Sequence, residues 1–350
     1  MINEKSLQRE WIESVARSQK ADISLVEKVI RALVLLENLT KTNLDFCFRG
    51  GTALMLLLGK PKRLSIDIDI ICPGSQSSLL QALDSMKSEN TFLRYEKQLR
   101  NTNSLIQKEH YKIYFISVVS GKESYILLDV LYEKILYTSL QNVSIENDLL
   151  DNTGEPKIVI IPDKENILAD KLTAFAPNTV GIPYLKKDKE MGMEIIKQLY
   201  DIGVLFELIS DIDQVRRVLD IFVELQLKYR NTNLAKEEIY RDVFSTAISI
   251  CLRKDHDPNS RFDILNKGIK QVKPFIFSEI FHLEKAITFS SKIVFLILLL
   301  SSDQNSFARY SNKTDMSSWI ILPPFDTKLN KLKKSNPEAF YYLYMASKLK

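Results

Sequence analysis

Cysteine is scarce in this chain of 350 residues: Cys47, Cys72 and Cys251 are the only three. They lie far apart, show none of the short spacings that bind zinc, and their odd number cannot complete a disulfide framework, so a reducing cytoplasm is the expected setting. Histidine is as rare. His110, His256 and His282 stand alone without metal-ligand spacing and read as surface or satisfied side chains with no role. Ten glycines and 11 prolines are too few for a collagenous or low-complexity chain, and no internal repeat is visible. Long apolar runs are missing too. The run at residues 293–300 falls far short of the roughly 20 residues that span a bilayer and reads as a buried helix. Residues 1–40 mix acids and bases (Glu4, Lys5, Arg9, Glu10) and lack the apolar stretch of a secretory signal. No membrane partner is expected.

What remains is an ordinary globular composition, 45% hydrophobic and 26% charged. The length exceeds that of a usual single domain, which predicts two domains or one domain with a large helical extension. The formal net charge is +4, and residues 326–350, with six lysines against Asp326 and Glu338, carry the same excess. Such a bias suits a nucleic-acid partner and equally a solvated helix face.

Apolar spacing predicts one or two amphipathic helices over the first forty residues. A strand at residues 44–48, a tight turn at Gly50-Gly51, a helix at 52–58 and a strand at 64–72, ended by Pro73-Gly74, follow. Residues 77–87 read as a helix, and 92–99, 111–119 and 125–133, rich in β-branched and aromatic residues, as strands of a small mixed sheet. From residue 164 the period becomes helical, with helices expected at 167–176, 190–209, 213–227, 234–253 and 286–300. The domain boundary is placed near residues 156–162, giving residues 1–160 and 161–350, and the polar stretch 252–262 reads as a long loop. The aromatic cluster at 340–344 fits a terminal helix docking its ring-bearing face.

The chemistry concentrates at residues 50–69. In the strand that contains Asp67 and Asp69, period two puts both carboxylates on one face and Ile66, Ile68 and Ile70 on the other. Two like charges so close suit a divalent cation between them, with magnesium the natural choice, although an edge strand showing acids to water has the same pattern. Context favours the cation. Gly50 and Gly51 precede Thr52 at a helix start, where backbone N–H groups can approach a phosphate. A third acid is expected where two metals bridge a hydroxyl and a nucleotide phosphate. Asp129 fits, because an unpaired acid in its apolar strand would be costly; a nearby base would satisfy it equally well.

The segments Phe48-Arg49-Gly50-Gly51-Thr52-Ala53-Leu54 and Arg63-Leu64-Ser65-Ile66-Asp67-Ile68-Asp69 resemble the signature of the AbiEii/MenT nucleotidyltransferase toxins, a branch of the polymerase-β-like superfamily. The resemblance is specific over about twenty residues and looser from residue 7 to residue 210. It implies an α+β fold: a polymerase-β-like nucleotidyltransferase core with a small mixed sheet, followed by a mainly helical domain. It also implies that Lys171, in Ile167-Leu168-Ala169-Asp170-Lys171, reaches the nucleotide triphosphate, and that Asp201 lies near the active site. Ile66 and Gln198 stand where the family often has acids, and no arginine follows Lys171 at the customary spacing.

The expected activity is nucleotidyl transfer. Gly50, Gly51 and Thr52 would hold the triphosphate of an NTP, Asp67, Asp69 and Asp129 magnesium, and Lys171 the phosphates, with Asp201 completing the site. The resemblance points to the 3′ hydroxyl of tRNA as acceptor and to a toxin restrained by a cognate antitoxin. The alternatives are the same chemistry on a protein or small-molecule acceptor, or a catalytically silent nucleotide-binding module.

Overall fold

A computed structural model describes residues 1–86, 91–98 and 107–349. The chain divides into two units, one of Met1–Asp163 with Pro274–Ile280, the other of Lys164–Lys273 with Phe281–Lys350. Each is described in turn. The last residues of the expected helix at 77–87 and strand at 92–99, and Lys350 of the basic tail, lie outside the described residues.

The first unit opens with α1 (Arg9–Gln19) and α2 (Ile23–Thr40). Asp22 caps α2 by accepting from Leu25 N, and every residue of α2 from Val29 to Leu39 is buried. Then come β1 (Cys47–Arg49), α3 (Gly50–Leu57), β2 (Ile68–Ile71) and α4 (Gln76–Met86). Next are β3 (Arg94–Lys97), β4 (Lys108–Ile116), β5 (Glu123–Leu131), β6 (Leu140–Ser144) and β7 (Ile158–Pro162). Five of these strands form one sheet in the order β1-β2-β5-β4-β3. It is mixed, since β2 and β5 run parallel and the other neighbours antiparallel.

The alternation in β4 and β5 sorts the two faces. Ile113, Phe115, Ile126, Leu128 and Val130 are buried with Leu33 and Leu36 of α2 in one apolar core. Residues His110, Lys112, Leu127 and Asp129, one step out of phase, lie on the other face and stay partly exposed. Glu27 of α2 fixes the hairpin end by accepting from Ser117 Oγ at 2.6 Å and Val118 N at 2.7 Å.

Two local expectations change. The strand expected at residues 64–72 is shorter, because Arg63 and Leu64 pair instead with residues 275–276, which return from far along the chain. Residues 158–162, read as part of a boundary, form β7, which pairs with β6 and lies against β1. Between Pro156 and Pro162 they are a short β-branched run, Ile158-Val159-Ile160-Ile161, without the polar–apolar alternation that marks a half-buried strand. All three cysteines are free and buried, and burial pushes the Cys47 thiol up to about 12, so it is not a poised nucleophile.

The second unit is helical: α5 (Lys164–Ala174), α6 (Gly192–Phe206), α7 (Ile212–Arg230), α8 (Lys236–Leu252), α9 (Phe262–Gln271), α10 (Leu283–Leu300), α11 (Leu332–Ser335) and α12 (Pro337–Ser347), with a small ribbon of β8 (Leu185–Lys186) and β9 (Lys189–Glu190). Helix α9, which follows the polar loop directly, is not among the helices that the apolar spacing predicts. Phe340, Tyr342 and Leu343 bury the aromatic face of α12. Lys292 of α10, 3% exposed, is tied to Glu338 of α12 at 2.6 Å and to Glu207, with the rings of Phe206, Phe289 and Tyr342 around its ammonium. Among the described residues no helix is long and apolar enough to cross a membrane.

Candidate active site

Backbone register builds the site. Arg49 of β1 pairs with Asp69 of β2, Asp69 pairs with Asp129 of β5, and Asp129 pairs with His110 of β4. Side chains at paired positions share a face and lie roughly 5 Å apart at Cβ, so four ionisable groups cross the sheet in one row. The row runs base, acid, acid, base. All four residues are partly exposed. Asp129 therefore sits on the open face of its strand, which removes the burial cost that its apolar neighbours in sequence suggested. It also has the nearby base: His110 Nδ1 lies 2.6 Å from Asp129 Oδ1.

Asp67 precedes β2 by one residue, and Thr52 Oγ1 donates to its backbone carbonyl at 2.7 Å. Thr52 is fully buried. This bond ties the first turn of α3 to the acidic strand, so the two halves of the motif form one rigid piece.

The glycine pair is explained by space as well as by conformation. Gly50 has φ +83°, in the left-handed region, and a methyl on it would come within 2.2 Å of Asp69 Oδ2. A methyl on Gly51 would come within 2.7 Å of both Arg63 Nη2 and Ser65 Oγ. The backbone at the start of α3 thus passes directly beside the Asp69 carboxylate on one side and a buried guanidinium on the other. Arg63 is 6% exposed and also donates to Leu64 O at 3.0 Å. The N-cap residue of α3 is Arg49, whose side chain has no acceptor for the first-turn amides. Those amides and the helix dipole make a place for an anion.

Oxygen donors of this kind suit a hard divalent cation. Asp69 and Asp129 supply carboxylates from two neighbouring strands and Asp67 one from the residue before β2, and the Asp69 carboxylate fills the position that a side chain on Gly50 would take. Among the described residues no three His, Cys, Asp or Glu side chains are grouped closely enough to hold a metal ion. The donor chemistry fits the ion that the motif implies.

Lys171 and Asp201 are brought together in the helical unit. Lys171 Nζ of α5 lies 2.9 Å from Asp201 Oδ2 of α6, and the two side chains are 8% and 2% exposed. The pair bridges two packed helices and holds the ammonium in a fixed position.

Two members of the charged row, Arg49 and His110, carried no assigned role in the sequence. The missing information was register. The β4–β5 turn is closed by Ser117 N donating to Lys122 O, with Gly121 in its tip at φ +70°. Counting back from that closure along both strands puts His110 opposite Asp129, so placing the turn at Gly121 would have found the histidine.

No curated protein matches the chain in sequence. Among solved structures it is similar to MenT4, a nucleotidyltransferase toxin from Mycobacterium tuberculosis H37Rv, with a TM-score of 0.54 and 12% identity over 95% of this chain and 98% of that one. It is also similar to JHP933 from Helicobacter pylori, with a TM-score of 0.43 and 15% identity over 79% of this chain and 91% of that one. At such identity the MenT4 likeness concerns fold: a small mixed sheet with many helices. A family model described as nucleotidyl transferase AbiEii toxin, type IV TA system, matches residues 34–278, a span that contains the glycine pair, all four acids and Lys171. The chain belongs to this family of nucleotidyl transferase toxins of type IV toxin-antitoxin systems.

Proposed function

We propose that the protein transfers a nucleoside monophosphate from an NTP to the 3′ hydroxyl of tRNA in a magnesium-dependent reaction, in the cytoplasm, as a toxin restrained by a cognate antitoxin. The observation that carries the chemistry is the adjacent register of Asp69 and Asp129 beneath the Gly50-Gly51 turn. It supports a cation and a triphosphate held side by side.

In this reading the first-turn amides of α3, at Gly50, Gly51 and Thr52, hold the phosphates, and Asp67, Asp69 and Asp129 hold magnesium. Bound there, magnesium would supply charge neutralisation at the phosphates and a more acidic acceptor hydroxyl. Thr52 keeps the two grips at a fixed separation through its bond to Asp67 O. Arg63, buried beside Gly51, adds positive charge behind the phosphate turn. The assignment of Lys171 to the triphosphate rests on the family resemblance, and its ion pair with Asp201 supports an ammonium held in place. The tRNA acceptor rests on the same resemblance and on the net charge of +4.

The test is incubation of the purified protein with magnesium, total tRNA and each of the four labelled NTPs, beside an Asp67→Ala/Asp69→Ala control. Label on tRNA that disappears in the control is the expected result and names the donor. Label on a protein or small molecule instead would reassign the acceptor, and no label with any NTP would point to a silent nucleotide-binding fold.

A further inference from the structure

His110 lies outside the glycine turn and the acidic strand, yet its geometry is tied to them. It sits on β4 directly opposite Asp129, with 16% of its side chain exposed, and its Nδ1 is 2.6 Å from Asp129 Oδ1. An ionised carboxylate only accepts hydrogen bonds, so the bond requires the proton on Nδ1. The tautomer is thereby set, and Nε2 is left as the outer nitrogen.

Asp129 needs such a partner. The terminal torsion of an aspartate is broad, so an unheld carboxylate swings. Its neighbour across the parallel ladder is another acid, Asp69, which repels it. Backbone position alone therefore does not aim the Asp129 oxygens. A donor on the far side, from a strand locked in register by the β4–β5 hairpin, pins Oδ1 and leaves Oδ2 for the cation. Groups that support metal ligands in this way commonly matter 10- to 100-fold for metal affinity or activity.

We propose that His110 is a positioning residue for nucleotidyl transfer, acting through its Nδ1–H···Oδ1 bond to hold Asp129 as a metal ligand. This rests on the reading of Asp67, Asp69 and Asp129 as the cation site.

The test uses the full chain and manganese as a magnesium probe, with free Mn²⁺ counted by electron paramagnetic resonance and transfer kinetics measured in parallel. His110→Ala should weaken manganese binding by about 10- to 100-fold and lower kcat with it. His110→Asn, whose amide nitrogen takes the place of Nδ1, should lose less than the roughly 10-fold expected when such a support is removed. His110→Gln, whose amide nitrogen takes the place of Nε2, should behave like the alanine variant. Native manganese affinity in His110→Ala, or equal behaviour of the Asn and Gln variants, would overturn the proposal. If His110→Ala folds poorly, the Asn–Gln comparison decides, because both variants keep a polar side chain on the same strand. Asp67→Ala/Asp69→Ala serves as the reference. Native manganese binding in that variant would overturn the cation site itself and the role of His110 with it, whereas a loss confined to the aspartate variant would overturn His110 alone.

Discussion

Asp69 and Asp129, 60 positions apart in sequence, stand opposite each other in parallel register. Like charges at paired positions destabilise a sheet. Here the row ends in a base on either side, Arg49 beyond Asp69 and His110 beyond Asp129, which offsets part of that repulsion. A bound divalent cation would offset the rest.

Magnesium should therefore stabilise the fold. At ten times its dissociation constant a ligand adds about 1.4 kcal/mol, which for a unit of this size corresponds to roughly 3–6 °C in Tm. Differential scanning calorimetry with magnesium against a chelator should show that rise in the native protein and none in Asp69→Asn/Asp129→Asn. An unchanged Tm in the native protein would count against the cation site.

Gly50→Ala separates conformation from space. The added methyl meets Asp69 Oδ2 at 2.2 Å in a backbone at φ +83°, whereas Gly59, at φ +66°, has nothing within 4 Å of the same position. Both variants bear the left-handed backbone cost, about 1–2 kcal/mol. Only Gly50→Ala displaces the carboxylate. Urea unfolding should show similar or slightly greater destabilisation for Gly50→Ala, while transfer activity should collapse in that variant and persist in Gly59→Ala. Equal activity in the two would show that closeness to Asp69 is incidental.

The Lys171–Asp201 pair predicts an asymmetry. Removing one partner of a buried ion pair strands the other, at a cost of about 3–5 kcal/mol, while replacing both by apolar residues costs much less. Asp201→Ala should thus unfold at markedly lower urea than Lys171→Met/Asp201→Leu. A triphosphate contact by Lys171 would appear separately, as a raised KM for NTP in Lys171→Ala. Single variants as stable as the native chain would mean that the pair is not held together in solution.

Glu109, on the opposite face of β4 from His110, supplies a pH dependence. Burial tends to raise its carboxyl pKa, but hydrogen bonds from Lys97, Tyr111 and Tyr132 outweigh that and hold it below the ordinary glutamate value. A depressed acid stabilises the fold above its unfolded pKa of about 4.3 and loses that contribution as pH falls through the folded value. Glu109→Gln should therefore be less stable than the native protein at pH 7, with the gap narrowing below about pH 4. A gap that stays constant down to pH 3 would assign the loss to packing instead.

The sequence by itself determined the local chemistry. The glycine pair, the helix after it and the period-two aspartates depend on neighbours within a few residues, where φ preference and strand pleat decide the outcome. The helical half was legible for the same reason, since a 3.6-residue period is a local signal, although it leaves α9 unmarked; in the first unit the β6–β7 ribbon is unmarked too. Tertiary structure decided what lies beside what. Asp129 became the neighbour of Asp69 through parallel pairing of strands far apart in sequence, and Leu64 left the acidic strand because residues 275–276 return to pair with Arg63 and Leu64. His110 and Arg49 joined the site only through register. In a sheet one step of register moves every side chain to the other face, and no residue states its own register alone.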